Sequence, residues 1–182
     1  EFIPLLEACG LIVPVGKWVL EEAVRTCKKW LRYQPDFIMN VNISYLQMLD
    51  ESFIDFVRQI LNQYDLPPAH IVLELTESTA INAPALMEHH MKELGDAGIS
   101  FAMDDYGTGS ANCSYLMRFP FQEVKMDRDM TLAYFNNETA RIVIENEIRT
   151  MQKLGIPMVV EGVEKLEQSE EMERLGVEYI QE

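Results

Sequence analysis

The stretch "FAMDDYGTGSANCSYL", residues 101–116, ends an apolar run with two adjacent aspartates and a Gly-x-Gly turn. A turn is the simplest interpretation, because Asp and Gly are common turn formers. A cation site is the alternative, since the chain carries a net charge of −15 and neighbouring anions repel each other. Successive strand residues point to opposite faces, so Asp104 and Asp105 share a site only if Asp105 already lies in the loop. Gly107 and Gly109 permit such a turn.

Strands alternate with helices on both sides of this stretch. The strands are predicted at residues 37–44, 70–78, 99–105, 122–127, 157–164 and 177–181. Helices are predicted from about 14 to 33, from an N-cap at Asp50 to Tyr64, from Asn82 and Pro84 to Leu94, from 138 to 154 and from 166 to 175. Repeated strand–helix units predict an α/β fold with a parallel sheet, and no linker or repeat divides the single domain expected over residues 1–182.

The composition limits the partners that this chain can have. Its 182 residues are 48% hydrophobic and 25% charged, as in an ordinary globular domain. Asp and Glu number 30 against 15 Lys and Arg, with no basic cluster, so we expect no contact with long nucleic acid. No apolar run approaches the roughly 20 residues of a membrane span, so we expect no membrane contact from this segment. Three cysteines without metal-site spacing predict reduced thiols and a cytoplasmic location.

Polar side chains lie at the end of each predicted strand, where its apolar run stops. They are Asn42, Glu74, Glu77, Asp104, Asp105, Lys125, Asp127, Glu161 and Gln181. One such residue is ordinarily a strand terminator, but six strands that end this way predict a shared site, because strand ends meet at one mouth of a parallel barrel. Crowded carboxylates need cations between them, and oxygen ligands favour Mg²⁺ or Mn²⁺ over zinc. Two such ions about 4 Å apart are the usual arrangement for phosphoester hydrolysis.

The order of the motifs along the chain resembles one protein family. The motifs are "EFIPLLEACGLIVPVGKWVLEEA", "VNIS", "LELTES", "DDYGTG", "VKMDR", "VVEGVE" and "YIQ". Together they resemble the EAL domain, the cyclic di-GMP phosphodiesterase of bacterial signalling. The resemblance implies a modified TIM (β/α) barrel and metal-dependent hydrolysis of cyclic di-GMP to linear pGpG, with two bound ions of Mg²⁺ or Mn²⁺.

The resemblance also implies which side chains hold the metal. Asn42, Glu74 and Asp104 would be metal ligands. Asp105 would serve the second ion, and Glu161 would bind metal or act as the base that activates water.

Further roles implied by the resemblance concern the water, the substrate and the loop. Lys125 would hold or polarise the attacking water. Gln181 would position water or substrate, and Asp127 would contact the substrate. Glu77 would tether the loop over residues 105–110 and so shape the metal site without taking part in the chemistry.

The chain departs from the family pattern at its ends and in this loop. The family's Glu-Ala-Leu strand would precede residue 1, and a glycine with an aromatic segment would follow Gln181, so we expect a fragment whose barrel lacks two N-terminal strands and the C-terminal end. Tyr106 replaces the usual Phe. "SANC" at 110–113 replaces the usual Tyr-Ser-Ser-Leu, in a segment linked in the family to metal binding and dimer contacts.

A second function remains open beside the enzyme. Some EAL-like domains have lost catalysis and serve as cyclic di-GMP receptors or protein-interaction modules. Such members tend to lose the Asp pair, the Lys or the second Glu, whereas this chain keeps Asp104, Asp105, Lys125 and Glu161. The enzyme is therefore favoured. The resemblance also implies a homodimer and further signalling domains in the parent chain, which could carry a membrane anchor.

Three conspicuous side chains are assigned to packing. His90 lies on the apolar face of its predicted helix, where a histidine is more often a packing residue than a ligand. Trp18 and Trp30 are predicted to lie on the buried side of the helix over residues 14–33.

Overall fold

The computed structural model describes residues 2–77, 79, 85–107, 116 and 118–181. The helices are α1 (Ile3–Ala8), α2 (Ile12–Trp30), α3 (Tyr45–Met48), α4 (Phe53–Tyr64), α5 (Ala85–Asp96), α6 (Arg128–Asn136), α7 (Glu138–Leu154) and α8 (Leu166–Arg174). The strands are β1 (Met39–Asn42), β2 (Ile71–Thr76), β3 (Ser100–Tyr106), β4 (Glu123–Met126), β5 (Met158–Glu161) and β6 (Tyr179–Gln181). The pairings β1–β2, β3–β4, β4–β5 and β5–β6 are parallel, as the strand–helix alternation predicts.

Most predicted elements are present with different bounds. Strand β3 keeps its predicted length but is shifted by one residue, and the other five strands are shorter than predicted. The predicted helix start at Asn82 and Pro84 lies outside the described residues. Among the helices that the structure describes, none combines the length and the apolar character needed to cross a membrane.

Contacts divide the chain into two compact units, which are described separately. Unit 1 comprises residues 1–75 and 82–101, and unit 2 comprises residues 76–81 and 102–182. In unit 1, β1 pairs with β2 so that Asn42 lies opposite Glu74. Five successive residues of β2 are buried, as expected of a parallel strand that is covered on both faces.

Helix α2 packs through one narrow stripe. Its buried residues are Ile12, Gly16, Leu20, Val24 and Cys27, which recur every three or four positions. Trp18 and Trp30 are 64% and 51% exposed, so the prediction that both lie on the buried side is wrong. Trp18 follows Gly16 by two residues, and the helical period places it on the opposite side. Trp30 instead stacks on Phe37 near the surface, with ring centroids 5.9 Å apart.

Helix α4 begins at a different cap from the one predicted. Its N-cap is Ser52, two residues after Asp50. The Asp50 carboxylate accepts hydrogen bonds from the Ser52 N–H (3.0 Å) and hydroxyl (2.8 Å) and pairs with Lys17 at 2.6 Å. Asp50 therefore fixes the turn before the helix, and the N-cap prediction is wrong. The short helix α3, capped reciprocally by Ser44 and Gln47, fills part of the link from β1.

Helix α5 buries the stripe that the sequence predicts, and a histidine lies within it. His90 is 2% exposed, and its Nδ1 lies 3.0 Å from the Met48 carbonyl oxygen, to which it donates. Burial lowers the pKa of His90 below its usual value of 6.5, because the charged ring would lose its water. The histidine is thus a packing residue that is held neutral.

Replacing His90 by glutamine should remove part of the acid sensitivity of unit 1. A histidine whose pKa is lowered by folding binds its proton more readily in the unfolded chain, so stability is lost as the pH falls below about 6.5. The loss is at most about 1.4 kcal/mol per pH unit for one group. Urea denaturation at pH 7.5 and pH 5.5 should show a larger decrease for the wild type than for His90→Gln. Equal decreases would contradict this assignment.

Unit 2 is built on strands β3 to β6 with helices α6 and α7. The strands pair in chain order, and Glu161 at the end of β5 is the register partner of Gln181 in β6. Helix α7 has the bounds that the sequence predicts and buries Ile144, Ile148 and Met151. Helix α6 was not predicted.

Candidate active site

In unit 1, two of the predicted polar side chains lie next to each other on β1 and β2. Asn42 and Glu74 are register partners. Glu74 is 4% exposed, and its Oε1 accepts a 2.7 Å hydrogen bond from Nδ2 of Asn40. Sequence reasoning missed Asn40, although it lies two residues before Asn42 and therefore on the same face of the strand. The carboxylate of Glu74 is thus oriented by a neighbouring amide.

In unit 2, Lys125 on β4 lies between two carboxylates. Its Nζ is 3.2 Å from Oδ1 of Asp104 on β3 and 2.7 Å from Oε1 of Glu161 on β5. The strand register accounts for one contact, because Lys125 lies opposite Val159 and Glu161 follows two residues later on the same face. Lys125 is 7% exposed, and an ammonium buried to this degree is normally paired with acids.

An irregularity in the pairing of β3 with β4 sets the direction of the Asp105 side chain. The register between β3 and β4 shifts between Met103 and Tyr106, and Asp105 has a φ of 55°, in the left-handed region. A bulge of this kind re-aims a strand side chain. Asp105 therefore lies within β3, at the bulge, and not in the loop. That Asp104 and Asp105 share a site stays a prediction.

The pKa of Asp105 reflects a concentration of negative charge. It is raised above its usual value, first because the carboxyl group is partly removed from water, and then because Asp104, Asp127 and Glu161 are negatively charged. Lys125 lowers it and only partly compensates. In the described part of unit 2, the negative charges around Asp105 thus outnumber the one positive charge of Lys125. This excess of negative charge favours the binding of further cations.

A buried glutamate, Glu77, holds the backbone at Gly107, two residues after Asp105. Glu77 is 1% exposed, and its Oε2 accepts a 2.8 Å hydrogen bond from the Gly107 N–H. Gly107 has a φ of 97°, which side chains rarely adopt, and a Cβ at this position would overlap Sδ of Met130. Residues 108–115, including the "SANC" departure, lie outside the described residues.

Replacing Gly107 by alanine should destabilise unit 2 and weaken metal binding together. The backbone strain alone costs about 1–3 kcal/mol, and the Met130 side chain must also move. Gly155→Ala is the matched control, since Gly155 has a φ of 69° and nothing within 4 Å of the added Cβ. We expect chemical denaturation to show a larger loss for Gly107→Ala, and Mn²⁺ titration to show weaker binding in that variant alone. Equal effects in both measurements would contradict a specific role for Gly107.

The two remaining predicted positions flank Glu161 in unit 2. Asp127 is the N-cap of α6, and its Oδ1 accepts a 2.8 Å hydrogen bond from the Asp129 N–H. Gln181 lies opposite Glu161 in the sheet, and its carbonyl accepts from the Gly162 N–H at 2.9 Å. Asp127 therefore has a structural function, and its contact with substrate stays a prediction, as does that of Gln181.

The chemistry of these donors suits a hard divalent cation. In the residues that the structure describes, no three His, Cys, Asp or Glu side chains form a group that could hold a metal, and the Lys125 ammonium pairs with both Asp104 and Glu161. The predicted donors are carboxylate and amide oxygens without thiol or imidazole, a set that Mg²⁺ and Mn²⁺ prefer. Together with the excess negative charge around Asp105, this donor set fits a divalent cation.

Comparisons of the sequence with known proteins point to one family. The EAL domain family model matches residues 1–181. The bifunctional diguanylate cyclase/cyclic di-GMP phosphodiesterase MucR of Pseudomonas aeruginosa is 35% identical over 182 residues, which is 100% of this chain and 27% of MucR. The cyclic di-GMP phosphodiesterase PdeR of Escherichia coli is 29% identical over 97% of this chain and 27% of PdeR. The chain thus spans about a quarter of the length of these curated relatives.

Comparisons with solved structures confirm the predicted fold class. The PaMucR phosphodiesterase in complex with c-di-GMP superposes with a TM-score of 0.92 and 35% identity, over 98% of this chain and 73% of that one. The EAL enzyme Bd1971 in its cAMP and cyclic-di-GMP bound form gives a TM-score of 0.90 at 26% identity, over 98% of this chain and 50% of that one. The fold class is the α/β fold of these EAL structures, a modified TIM barrel that is incomplete in this chain, as the sequence predicts.

Proposed function

Because this chain belongs to the EAL domain family, we propose that it hydrolyses one phosphodiester bond of cyclic di-GMP to give linear pGpG, with divalent metal ions bound. The relatives named as cyclic di-GMP phosphodiesterases support this activity. The observation that carries the proposal is the position of Lys125 between Asp104 and Glu161, whose negative charges also act on Asp105. In this proposal the cluster supplies carboxylate ligands for a cation, an ammonium that holds a water molecule and a carboxylate that accepts its proton.

The metal ligands that the family pattern implies are part of this proposal. They are Asn42, Glu74, Asp104, Asp105 and Glu161. Their support is the adjacency of Asn42 and Glu74 in the β1–β2 register and the excess negative charge around Asp105. Mg²⁺ or Mn²⁺, proposed as two ions, supplies Lewis acidity and neutralises phosphate charge when bound.

The residues of this chain have separate tasks in the proposed hydrolysis. The Lys125 ammonium holds the attacking water and stabilises the negative charge that develops on the phosphate. Glu161, 2.7 Å from Lys125, accepts a proton from that water. The water oxygen forms a new bond to phosphorus, one P–O bond breaks, and the released ribose oxygen takes up a proton. Gln181 and Asp127, which flank Glu161, are proposed to position water and substrate.

The wider setting of this activity is also a proposal. MucR is named as a bifunctional cyclase and phosphodiesterase, and we propose that further signalling domains and a homodimer accompany this chain as well. Cys9 and Cys27 are free thiols, which supports a reducing, cytoplasmic location. A single family model that spans residues of both units supports the proposal that residues 1–182 form one domain.

The proposed activity is tested by hydrolysis of cyclic di-GMP by the intact protein in the presence of Mn²⁺ or Mg²⁺. Chromatography should show pGpG accumulating over many turnovers, and EDTA should stop it. Equilibrium binding of cyclic di-GMP, measured in parallel, separates the enzyme from the receptor. Binding without any pGpG in either metal would overturn the enzymatic proposal and favour the receptor.

A further inference from the structure

Tyr106, the residue directly after the bulged Asp105, makes a hydrogen bond to a distant helix of unit 2. Its ring is buried, with the residue 4% exposed, and its hydroxyl donates to Oε2 of Glu147 at 2.8 Å. An acceptor that carries a charge makes this a stronger hydrogen bond than one between neutral groups. The hydroxyl is one of the departures from the family pattern that the sequence contains, since a phenylalanine could not make this contact.

Glu147 lies on a firmly packed part of α7. Glu147 lies on the same face of the helix as Ile144, three residues before it, and Met151, four residues after it. Both of these residues are buried. The carboxylate that receives the Tyr106 hydroxyl is therefore carried by an element whose position is fixed by the core of unit 2. This makes Glu147 a suitable anchor for a strained segment of backbone.

The segment from Asp105 to Gly107 is held from several sides. Asp105 and Gly107 both have a positive φ, of 55° and 97°. The Tyr106 carbonyl accepts a 3.3 Å hydrogen bond from the Asp127 N–H, and the Gly107 N–H donates to Glu77. A residue in a strained conformation persists when the contacts around it over-determine the backbone. The Tyr106 hydroxyl supplies the side-chain contact at the centre of this segment.

We propose that the Tyr106–Glu147 hydrogen bond is a positioning contact that holds the Asp105 carboxylate in its metal-binding orientation. This inference rests on the proposed function, since it assigns the contact to the same metal site. Tyr106 itself touches neither metal nor substrate in this account. It acts through the backbone of Asp105, and Glu147 acts through Tyr106.

The test compares Tyr106→Phe with a matched variant in the same unit. Tyr134 is 1% exposed, and its hydroxyl donates to Glu171 at 3.0 Å, so Tyr134→Phe also removes a buried hydroxyl from a carboxylate. Calorimetric titration of Mn²⁺ into the intact protein should show a dissociation constant raised about tenfold in Tyr106→Phe, as for loss of an orienting partner of a ligand. Tyr134→Phe should leave it within about twofold of the wild-type value.

Two further readouts separate positioning from simple loss of stability. Glu147→Gln keeps an oxygen acceptor for the hydroxyl and should retain near wild-type Mn²⁺ affinity, whereas Glu147→Leu should weaken it as Tyr106→Phe does. In the hydrolysis assay, Tyr106→Phe should need more Mn²⁺ for half-maximal rate but approach the wild-type rate at saturating metal.

Asp105→Asn, titrated in the same series, distinguishes this inference from the function on which it rests. If Asp105→Asn weakens Mn²⁺ binding and Tyr106→Phe does not, the positioning contact is overturned and the metal site stands. If Tyr106→Phe and Tyr134→Phe weaken binding equally, the effect is general destabilisation and the inference fails. If Asp105→Asn leaves Mn²⁺ binding unchanged, the assignment of Asp105 fails, and the inference fails with it.

Discussion

Asp104→Ala is expected to lower the rate of cyclic di-GMP hydrolysis by the intact protein at least about 10³-fold, because loss of a metal ligand removes several kcal/mol of transition-state stabilisation. The variant should remain folded without metal, since Lys125 keeps its 2.7 Å contact with Glu161. The negative charge of Asp104 also raises the pKa of Asp105, and its removal relieves that repulsion. Chromatography of pGpG gives the rate, and circular dichroism verifies the fold.

Asp96→Ala is the matched control for this variant. Asp96 is an exposed carboxylate at the end of α5 in unit 1, so the substitution makes the same change in charge without altering a residue of unit 2. It should hydrolyse cyclic di-GMP at the wild-type rate. An Asp104→Ala variant that kept more than about one tenth of the wild-type rate would contradict the role of Asp104 as a ligand.

Lys125→Met is expected to reduce hydrolysis about 10²–10³-fold, the usual effect of removing one group that stabilises charge in a transition state. The methionine keeps much of the side-chain length but leaves Asp104 and Glu161 without the ammonium that pairs with both. Kinetics at saturating Mn²⁺ measure this effect separately from metal binding. Lys153→Met, at an exposed position in the last turn of α7, is the control and should retain full activity.

The same lysine variant should also be less stable without metal. Breaking a largely buried ion pair by removing one partner costs about 3 kcal/mol, because the remaining charges lose their compensation. Urea denaturation of the metal-free protein and its variant at pH 7 measures this loss. A stability equal to that of the wild type at pH 7, together with full activity, would contradict both roles of Lys125.

The site residues at the strand ends could be predicted from the sequence, because the end of an apolar run is a local pattern. An apolar run that stops at Asp104, Lys125 or Glu161 is visible in one dimension, and strand alternation places such residues at one end of parallel strands. The bulge at Asp105 could not be predicted in this way. It depends on the register between β3 and β4, which is a property of two strands and of the contacts around them.

The other incorrect predictions have local causes. Helix α6 was missed because it buries only Thr131 and Tyr134, so its apolar pattern is weak. Trp18 was assigned to the core by residue type, although the helix period places it opposite the stripe that includes Gly16. The N-cap of α4 was placed at Asp50 because Asp is a good cap, but Ser52 lies directly before the helix.

The central claim is that the carboxylate cluster of unit 2 is part of a divalent metal site used for hydrolysis. Isothermal titration of Mn²⁺ into the metal-free intact protein, beside its Asp104→Ala variant, tests this claim most directly. We predict saturable binding of about two ions per chain in the wild type and weakened or lost binding in the variant. Absence of saturable binding, or identical binding by both proteins, would contradict the metal site and the mechanism built on it.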